Sequence, residues 1–501
     1  MTIASAIQSA QQKVANAYTA ISNKGGTLPA TQDLSNMPNA INSINTGGTI
    51  ESLNVTPTTS AQTITASGGV DGYSPVNVSA VTASIDSNIQ PQYIRNGVEI
   101  LGVTGTYGEP IPYQLVVSSD TTWYVTNSGE LYGCGYGSLG QQGAGNGNTS
   151  NVTTFTKRAD NVVQVACSQD TTWYINSSGE LYGCGYGYYG QQGSGGTTDV
   201  TTFTKRADNV VQFACSNDTT WYINESGELY GCGYGYYGKQ GNGGTSNVTT
   251  FTKRADNVVQ IACSGSTTWY VNSSGELYGC GSNFYGQQGS GNISDVYTFT
   301  KRADNVKQVF CSDYTTWYIN ESGELYGCGN AGKGQQGDGT ANYGNTVKTF
   351  TKRADNVVQV ACSQDTTWYI NSSGELYGCG YGGSGQQGSG GTTDVTTFTK
   401  RVDNVVQFAC SSGTTWYINS SGELYGCGYG GSGQQGSGGT TTITTFTKRA
   451  DNVKQLACFY SITWYVNSSN EVYGCGSNFY GQQGSGTSGR GTEVLTFTKR
   501  N

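Results

Sequence analysis

A mainly β fold, a propeller of eight four-stranded repeats, is what this sequence predicts, and three observations predict it. All eight tryptophans fall in one phrase, Thr-Trp-Tyr, at Trp123, Trp173, Trp221, Trp269, Trp317, Trp368, Trp416 and Trp464, spaced 48 to 51 residues apart. Each interval holds several short stretches rich in Val, Ile, Thr, Tyr and Phe, the composition of strands. Glycine is abundant, 76 residues against 7 prolines, so the chain turns often without reading as a proline-rich linker. Self-similarity at a fixed period marks repeat architectures, and a four-stranded unit of ~40–50 residues is a propeller blade.

One unit, residues 161–206, reads NVVQVACSQDTTWYINSSGELYGCGYGYYGQQGSGGTTDVTTFTKR. Residues 162–167 are an apolar run of strand length. Residues 171–175 and 180–183 flank Asn176-Ser177-Ser178-Gly179, which suits a tight hairpin with glycine taking the positive φ. Residues 202–205 form the fourth strand, after a Gly-rich loop over 185–200. Radially stacked blades bury both faces, which fits strands that are apolar without clean alternation. An open β-solenoid is the rival, but its coils are usually shorter than this unit. A closed ring requires Gln114-Leu115-Val116-Val117, the first strand of the first unit, to meet residues 496–500 in or beside one blade.

The string Asp170-Thr171-Thr172-Trp173-Tyr174-Ile175, then Ser178-Gly179-Glu180-Leu181-Tyr182-Gly183-Cys184-Gly185, then Gly190-Gln191-Gln192-Gly193-Ser194-Gly195 resembles the regulator-of-chromosome-condensation repeat. The resemblance covers residues 113–501 and recurs in all eight units. It departs in a patterned way: the family histidine falls on Thr171, its tryptophan falls on Cys184, and a tryptophan stands instead at Trp173. A large ring lost from one strand and gained on its hairpin partner reads as a core repacked at constant volume. Propellers of that family usually have seven blades, so the resemblance implies seven as the alternative to the eight counted here.

Several chemistries are disfavoured by composition. Histidine is absent, which removes the usual general base and the commonest zinc ligand. A formal net charge of −8 disfavours a nucleic-acid partner. No stretch approaches the ~20 apolar residues of a membrane span, and Met1-Thr2-Ile3-Ala4-Ser5 lacks the basic and apolar segments of a secretory signal. The 15 cysteines follow the repeat, eight in Gly-Cys-Gly and seven placed seventeen residues earlier, with Val117 in the missing position. They read as small buried hydrophobes, with disulfides inside each unit as the alternative; Val117 weakens the alternative, and zinc spacing is lacking. Lys-Arg recurs in every unit, as at Lys157-Arg158, and is read as an Arg–Asp pair organising the turn between blades rather than a cationic ring. The Gly-x-Gly-x-x-Gly of Gly185, Gly187 and Gly190 opens no helix and carries no dinucleotide chemistry. No catalytic residues, metal ligands or cofactor are expected.

Differences between copies are more informative than identities. Before Gly-Gln-Gln-Gly the units carry Ser138-Leu139, Tyr188-Tyr189, Tyr236-Tyr237, Phe284-Tyr285, Gly332-Lys333, Gly383-Ser384, Gly431-Ser432 and Phe479-Tyr480. A constant frame with varied loops rich in Tyr, Ser, Gly and Asn has the composition of a recognition surface. The four aromatic pairs are therefore the candidate binding residues, the competing reading being that these rings pack between blades.

Residues 1–112 differ in kind. Ile3, Ile7, Val14, Tyr18 and Ile21 lie at mostly helical spacing, Gly25-Gly26 stops that helix, and a second one is expected over 32–44. One apolar seam suggests packing against a partner or another copy. Residues 50–107 read as short strands, giving an attachment segment (1–46), a small β region (47–112) and the propeller (113–501). Ala17-Tyr18-Thr19-Ala20-Ile21 with Lys24-Gly25-Gly26-Thr27-Leu28-Pro29, Gly72-Tyr73-Ser74-Pro75-Val76-Asn77-Val78 and residues 94–105 resemble the start of tailed-bacteriophage tail and fibre proteins. That resemblance implies a virion tail appendage assembled in the host cytoplasm. Its N-terminal region would hold other tail proteins, and its propeller would recognise a bacterial surface glycan or protein. The alternatives are a purely structural virion protein and an intracellular regulatory propeller that binds a protein partner, as a nucleotide-exchange factor does. A glycan-degrading enzyme lacks an acid pair in the sequence.

Overall fold

In every blade the first five residues of the second strand are buried, because each blade is covered on both faces by its neighbours. The computed structural model describes residues 3–44, the strands Ile50–Val55, Gly72–Val78, Glu99–Ile100 and Val103–Thr104, and residues 114–500. The chain divides into two compact units, Met1–Pro112 and Tyr113–Asn501. The second unit is eight four-stranded antiparallel sheets, each from four consecutive strands. Blade 1 is Gln114–Val117, Thr121–Val125, Leu131–Gly135 and Val152–Ala159, and blade 2 is Val162–Cys167, Thr171–Asn176, Leu181–Gly185 and Val200–Ala207. Blades 3 to 7 open with Val210–Cys215, Val258–Cys263, Val306–Cys311, Val357–Cys362 and Val405–Cys410, and blade 8 runs from Val453–Phe459 to Val494–Lys499. The blade count is eight.

The repeat phrase explains itself in this packing. Trp173 stands opposite Gly183 on the next strand, and its indole lies so close over that glycine that a Cβ there would sit 2.3 Å from the ring. The indole then meets Phe251 of blade 3 edge-on at 6.0 Å, where Trp173, Ile175 and Leu181 pack against Val210, Phe213 and Tyr222. On the opposite face Tyr174 stacks on Tyr182 at 4.9 Å. Trp, Ile and Leu thus face the following blade and Tyr the preceding one, so the strand serves two seams at once.

Polar contacts repeat at each seam. The Cys184 thiol donates to the Gln141 carbonyl of blade 1 at 3.4 Å, and the Gly145 N–H donates to Thr201 O at 2.8 Å. Each Gly-Gln-Gln-Gly loop therefore hooks onto the outer strand of the next blade. Blade 8 closes on blade 1 the same way: Cys134 donates to Gln482 O at 3.5 Å, Gly486 N–H to Thr153 O at 2.8 Å, and Leu115 packs with Ile462, Trp464 and Val466. The two ends thus lie in neighbouring blades, and no strand is exchanged to shut the ring.

All fifteen cysteines are free, and the register says why. Thr172 pairs with Cys167 on one side and Cys184 on the other, so two strand spacings of ~4.8 Å separate the cysteine backbones. A disulfide spans at most ~7 Å between Cα atoms. Burial pushes the Cys167 thiol up to about 12, which keeps it protonated and unreactive. Titration under denaturing, non-reducing conditions is expected to count fifteen thiols; thirteen or fewer would reveal a bridge.

The Arg–Asp pairing expected from Lys-Arg is not what forms. Lys157, not Arg158, bonds Asp160 and Glu130, both at 2.7 Å, and the same triad recurs along the ring, as at Lys205 with Asp208 and Glu180. Lys157 pairs with Tyr132 and Arg158 falls at the register shift before Ala159, so the two side chains part there. Arg158 lies half-buried, and desolvation lowers its pKa. Asn161 follows at φ 58°, the left-handed geometry that Asn tolerates.

In the first unit the helix Ile3–Asn23 ends at Gly25, whose φ is +78°. Tyr18 and Ile21 pack against Met37, Ala40 and Ile41 of a second helix, so part of the seam expected to meet a partner is covered within the unit. That second helix is Met37–Asn42, shorter than the 32–44 expected. Asp33 accepts the Asn36 N–H at 3.0 Å and holds residues 33–36 in a turn, and Pro38 fits only the first helical turn. Ile50–Val55 pairs in parallel with Gly72–Val78, and Glu99–Ile100 pairs antiparallel with Val103–Thr104. The rest of residues 94–105 lies outside the described residues. No described helix is long and apolar enough to cross a membrane.

Candidate functional site

The two ends of the ring differ in chemistry. At the hairpin face lie the hairpins typified by Asn176-Ser177-Ser178-Gly179 and the Lys–Glu–Asp triads, in which each lysine is held between two carboxylates. At the turn face lie the turns joining the first and second strands and the Gly-Gln-Gln-Gly loops, because Gly185 pairs with both Thr171 and Val200 at that end.

All four predicted aromatic pairs sit at the turn face, and three of them split into an exposed and a packed ring. Tyr188 and Phe284 are 61% and 67% exposed, and Tyr236 and Phe479 are also exposed. The second rings pack on the following blade: Tyr189 on Tyr234 at 4.5 Å, Tyr285 on Tyr314 at 4.9 Å, and Tyr480 on Tyr136 at 4.6 Å. Tyr237 departs from this pattern. Blade 4 offers Ser282 where blades 3 and 1 offer Tyr234 and Tyr136, so Tyr237 stays exposed against Tyr236 at 4.4 Å, with φ 62°. In all four pairs the first ring is exposed, and in three the second packs between blades.

Other rings at this face were not singled out by the sequence reading. Tyr429 is exposed, and blade 8 adds Phe459 and Tyr460. In blade 2 the turn is held by Ser168, whose Oγ accepts the Thr171 N–H at 3.2 Å. Blade 8 has Phe459 in that position, so its first strand runs one residue further, Phe459 pairs with Ile462, and Tyr460 takes φ 45°. The signal was in the sequence: Phe-Tyr-Ser stands where the siblings begin with Ser.

Carboxylates share this face. Asp120, Asp170 and Asp365 occupy equivalent turns, and burial raises all three pKa values. Asp170 is held at about 6, first by burial and then by the charges of Asp120 and Asp199. Asp218 is paired instead with Lys239, which replaces the first glutamine of the loop in blade 3. Lys239 is fully buried, donates to Gly265 O at 2.8 Å and lies 4.7 Å over the Tyr234 ring. Among the described residues, no group of three or more His, Cys, Asp or Glu side chains is placed to hold a metal ion.

Fold and face together define an eight-bladed β-propeller that presents an aromatic and acidic end. Residues 258–287 match the regulator of chromosome condensation (RCC1) repeat. Human WBSCR16 is similar at 18% identity and a TM-score of 0.54, over 66% of this chain and 96% of that one. Prp20p from Saccharomyces cerevisiae, whose structure is described with its binding to Gsp1p and histones, is similar at 17% identity and a TM-score of 0.54, over 71% and 93%. Yeast RCC1 (Prp20) bound by Kap60 gives 18% identity and a TM-score of 0.52, over 70% and 87%. At these identities the likeness is one of fold. No curated protein matches the chain. The resemblance of residues 1–107 to phage tail proteins finds no support among these relatives.

Proposed function

We propose that this chain is a non-catalytic propeller that binds a protein partner through its turn face. One observation carries the reading: eight blades repeat the same seams, while the turn-face loops differ from copy to copy and include exposed Tyr188, Tyr236, Phe284 and Phe479. Large exposed rings in a rigid frame suit a protein interface, where Tyr and other aromatic anchors dominate. The partners named for the similar yeast propeller are proteins, and that analogy of fold places a protein ahead of a glycan. The regulatory reading, an alternative at the sequence level, thereby takes precedence. Attachment to a virion and recognition of a cell surface rest on the N-terminal resemblance alone.

A photo-crosslinking residue at position 188 or 284, on the turn face, is expected to give discrete protein adducts in extracts of the expressing cell, and one at Ser178 or Ser274, on the hairpin face, none. Equal adducts from both faces would sink the reading. The variant Tyr188→Ser/Tyr236→Ser/Phe284→Ser/Phe479→Ser is expected to abolish adducts from a probe elsewhere on the turn face. Its thermal midpoint should stay near wild type, because the exposed first rings hold no seam.

A further inference from the structure

At two positions of the turn face the chain seats its own lysine on a tyrosine beside an aspartate. In blade 3 Lys239 lies over Tyr234 and bonds Asp218. At the seam of blades 5 and 6, Lys333 lies 5.1 Å over the Tyr381 ring, and its charge acts on Asp365. Blade 2 carries the same pair, Tyr186 and Asp170, joined through the Tyr186 N–H to Asp170 O at 3.0 Å. Gln169 links this turn to blade 1 by donating to Asp120 at 3.4 Å. Where blade 5 supplies Lys333, blade 1 supplies Leu139.

We infer that Tyr186, Asp170 and Asp120 form a site for a lysine or arginine side chain of the protein partner. The inference rests on the partner-binding reading above and names the chemistry of that partner. Coulombic attraction and the negative face of the tyrosine ring act together on a cation there, as they do on Lys239 and Lys333. Exposed Tyr188 stacks beside Tyr186 at 6.1 Å and extends the aromatic wall outward. The same face of a second copy would bring like carboxylates, and nucleic acid would bring phosphates, so charge disfavours both as occupants. The groups acting on Asp170 are Asp120 from blade 1 and Asp199 from its own blade, both acidic. A bound cation therefore favours the ionised carboxyl, and affinity is expected to rise with pH through about 6.

The test uses the full chain and a fluorescein-labelled peptide of alternating arginine and glycine, with a glutamate–glycine peptide as control. Asp120→Asn/Asp170→Asn is expected to weaken arginine-peptide binding at least tenfold. Asp160→Asn/Asp208→Asn changes net charge equally on the hairpin face and should leave it within twofold. Leu139→Lys supplies an internal lysine as blade 5 does, and should weaken binding to a similar extent while bringing the Asp170 carboxyl back toward its ordinary range by NMR. Equal loss from both pairs of Asn substitutions, or undiminished binding in Leu139→Lys, overturns the inference. Crosslinks from position 188 that survive Asp120→Asn/Asp170→Asn would overturn it while leaving the partner-binding reading standing. Absence of any crosslink in the unsubstituted chain would remove both.

Discussion

Trp317→Ala lowers the stability of the propeller by about 3–5 kcal/mol, the range for truncating a large buried ring. Trp317 is fully buried, meets Phe398 of the next blade at 5.9 Å and packs with Ile319, Leu325, Val357, Val360 and Tyr369. Alanine would leave a void bounded by two blades, and a closed ring has little freedom to collapse around it. Far-UV circular dichroism in denaturant measures the shift. Hydrogen exchange adds a spatial readout: in repeat architectures each unit couples mainly to its neighbours, so blades 5 and 6 should lose protection before blades 1 and 2. A uniform loss would mean that the seam is not the unit of stability. Gly327→Ala probes the same contact from the other side, since its Cβ would fall 2.3 Å from the Trp317 ring. Its overpacking cost of about 1–3 kcal/mol should shrink in a Trp317→Leu background.

That contact marks how far the sequence could be read. The phase of the eight tryptophans was enough to count blades and place four strands in each, because a fixed period with strand-like composition has few architectural solutions. It did not reveal that Trp173 lies on Gly183, since the hairpin register that opposes them depends on the turn. The cysteines show the same limit. Seventeen residues of spacing left open a bridge that the register forbids, with Thr172 standing between Cys167 and Cys184. Strand alternation places Lys157 on the side of Phe155, a ring packed in the seam, so it did not reveal that Lys157 rather than Arg158 would reach the surface acids. The aromatic pairs were found because they vary, but their division into exposed and packed rings depends on what the next blade offers, tyrosine for Tyr189 and serine for Tyr237. Asp170 was visible only as a turn residue; its pKa is raised first by burial in the ring and then by Asp120, 50 positions earlier in the chain, which the ring brings beside it.

Asp218→Asn is expected to cost about 3 kcal/mol near neutral pH, the lower end of the range for stranding a buried charge, because Asp218 keeps 17% exposure. The Lys239 ammonium would retain Gly265 O and the Tyr234 ring but no counter-charge. Burial already lowers the Lys239 pKa, and Asp218 opposes that shift; removing the carboxylate lowers it further. A lysine whose folded pKa lies below its unfolded value contributes stability that is present at high pH and lost as pH falls through the folded pKa. The deficit of Asp218→Asn should therefore be largest near neutrality and narrow as pH rises toward the ordinary lysine range. Lys239→Gln should behave oppositely, staying within about 1 kcal/mol of wild type, because removing the buried cation offsets the lost pair. The sibling glutamines already bond the same kind of turn carbonyl, Gln191 to Asn217 O at 3.2 Å and Gln287 to Asp313 O at 3.3 Å. Combined, the two substitutions should cost less than Asp218→Asn alone, since the charge that needed a partner is gone. If the double variant is instead as unstable as the sum, Asp218 stabilises the turn by a route independent of Lys239, and blade 3 is not a sibling blade with one ion pair added.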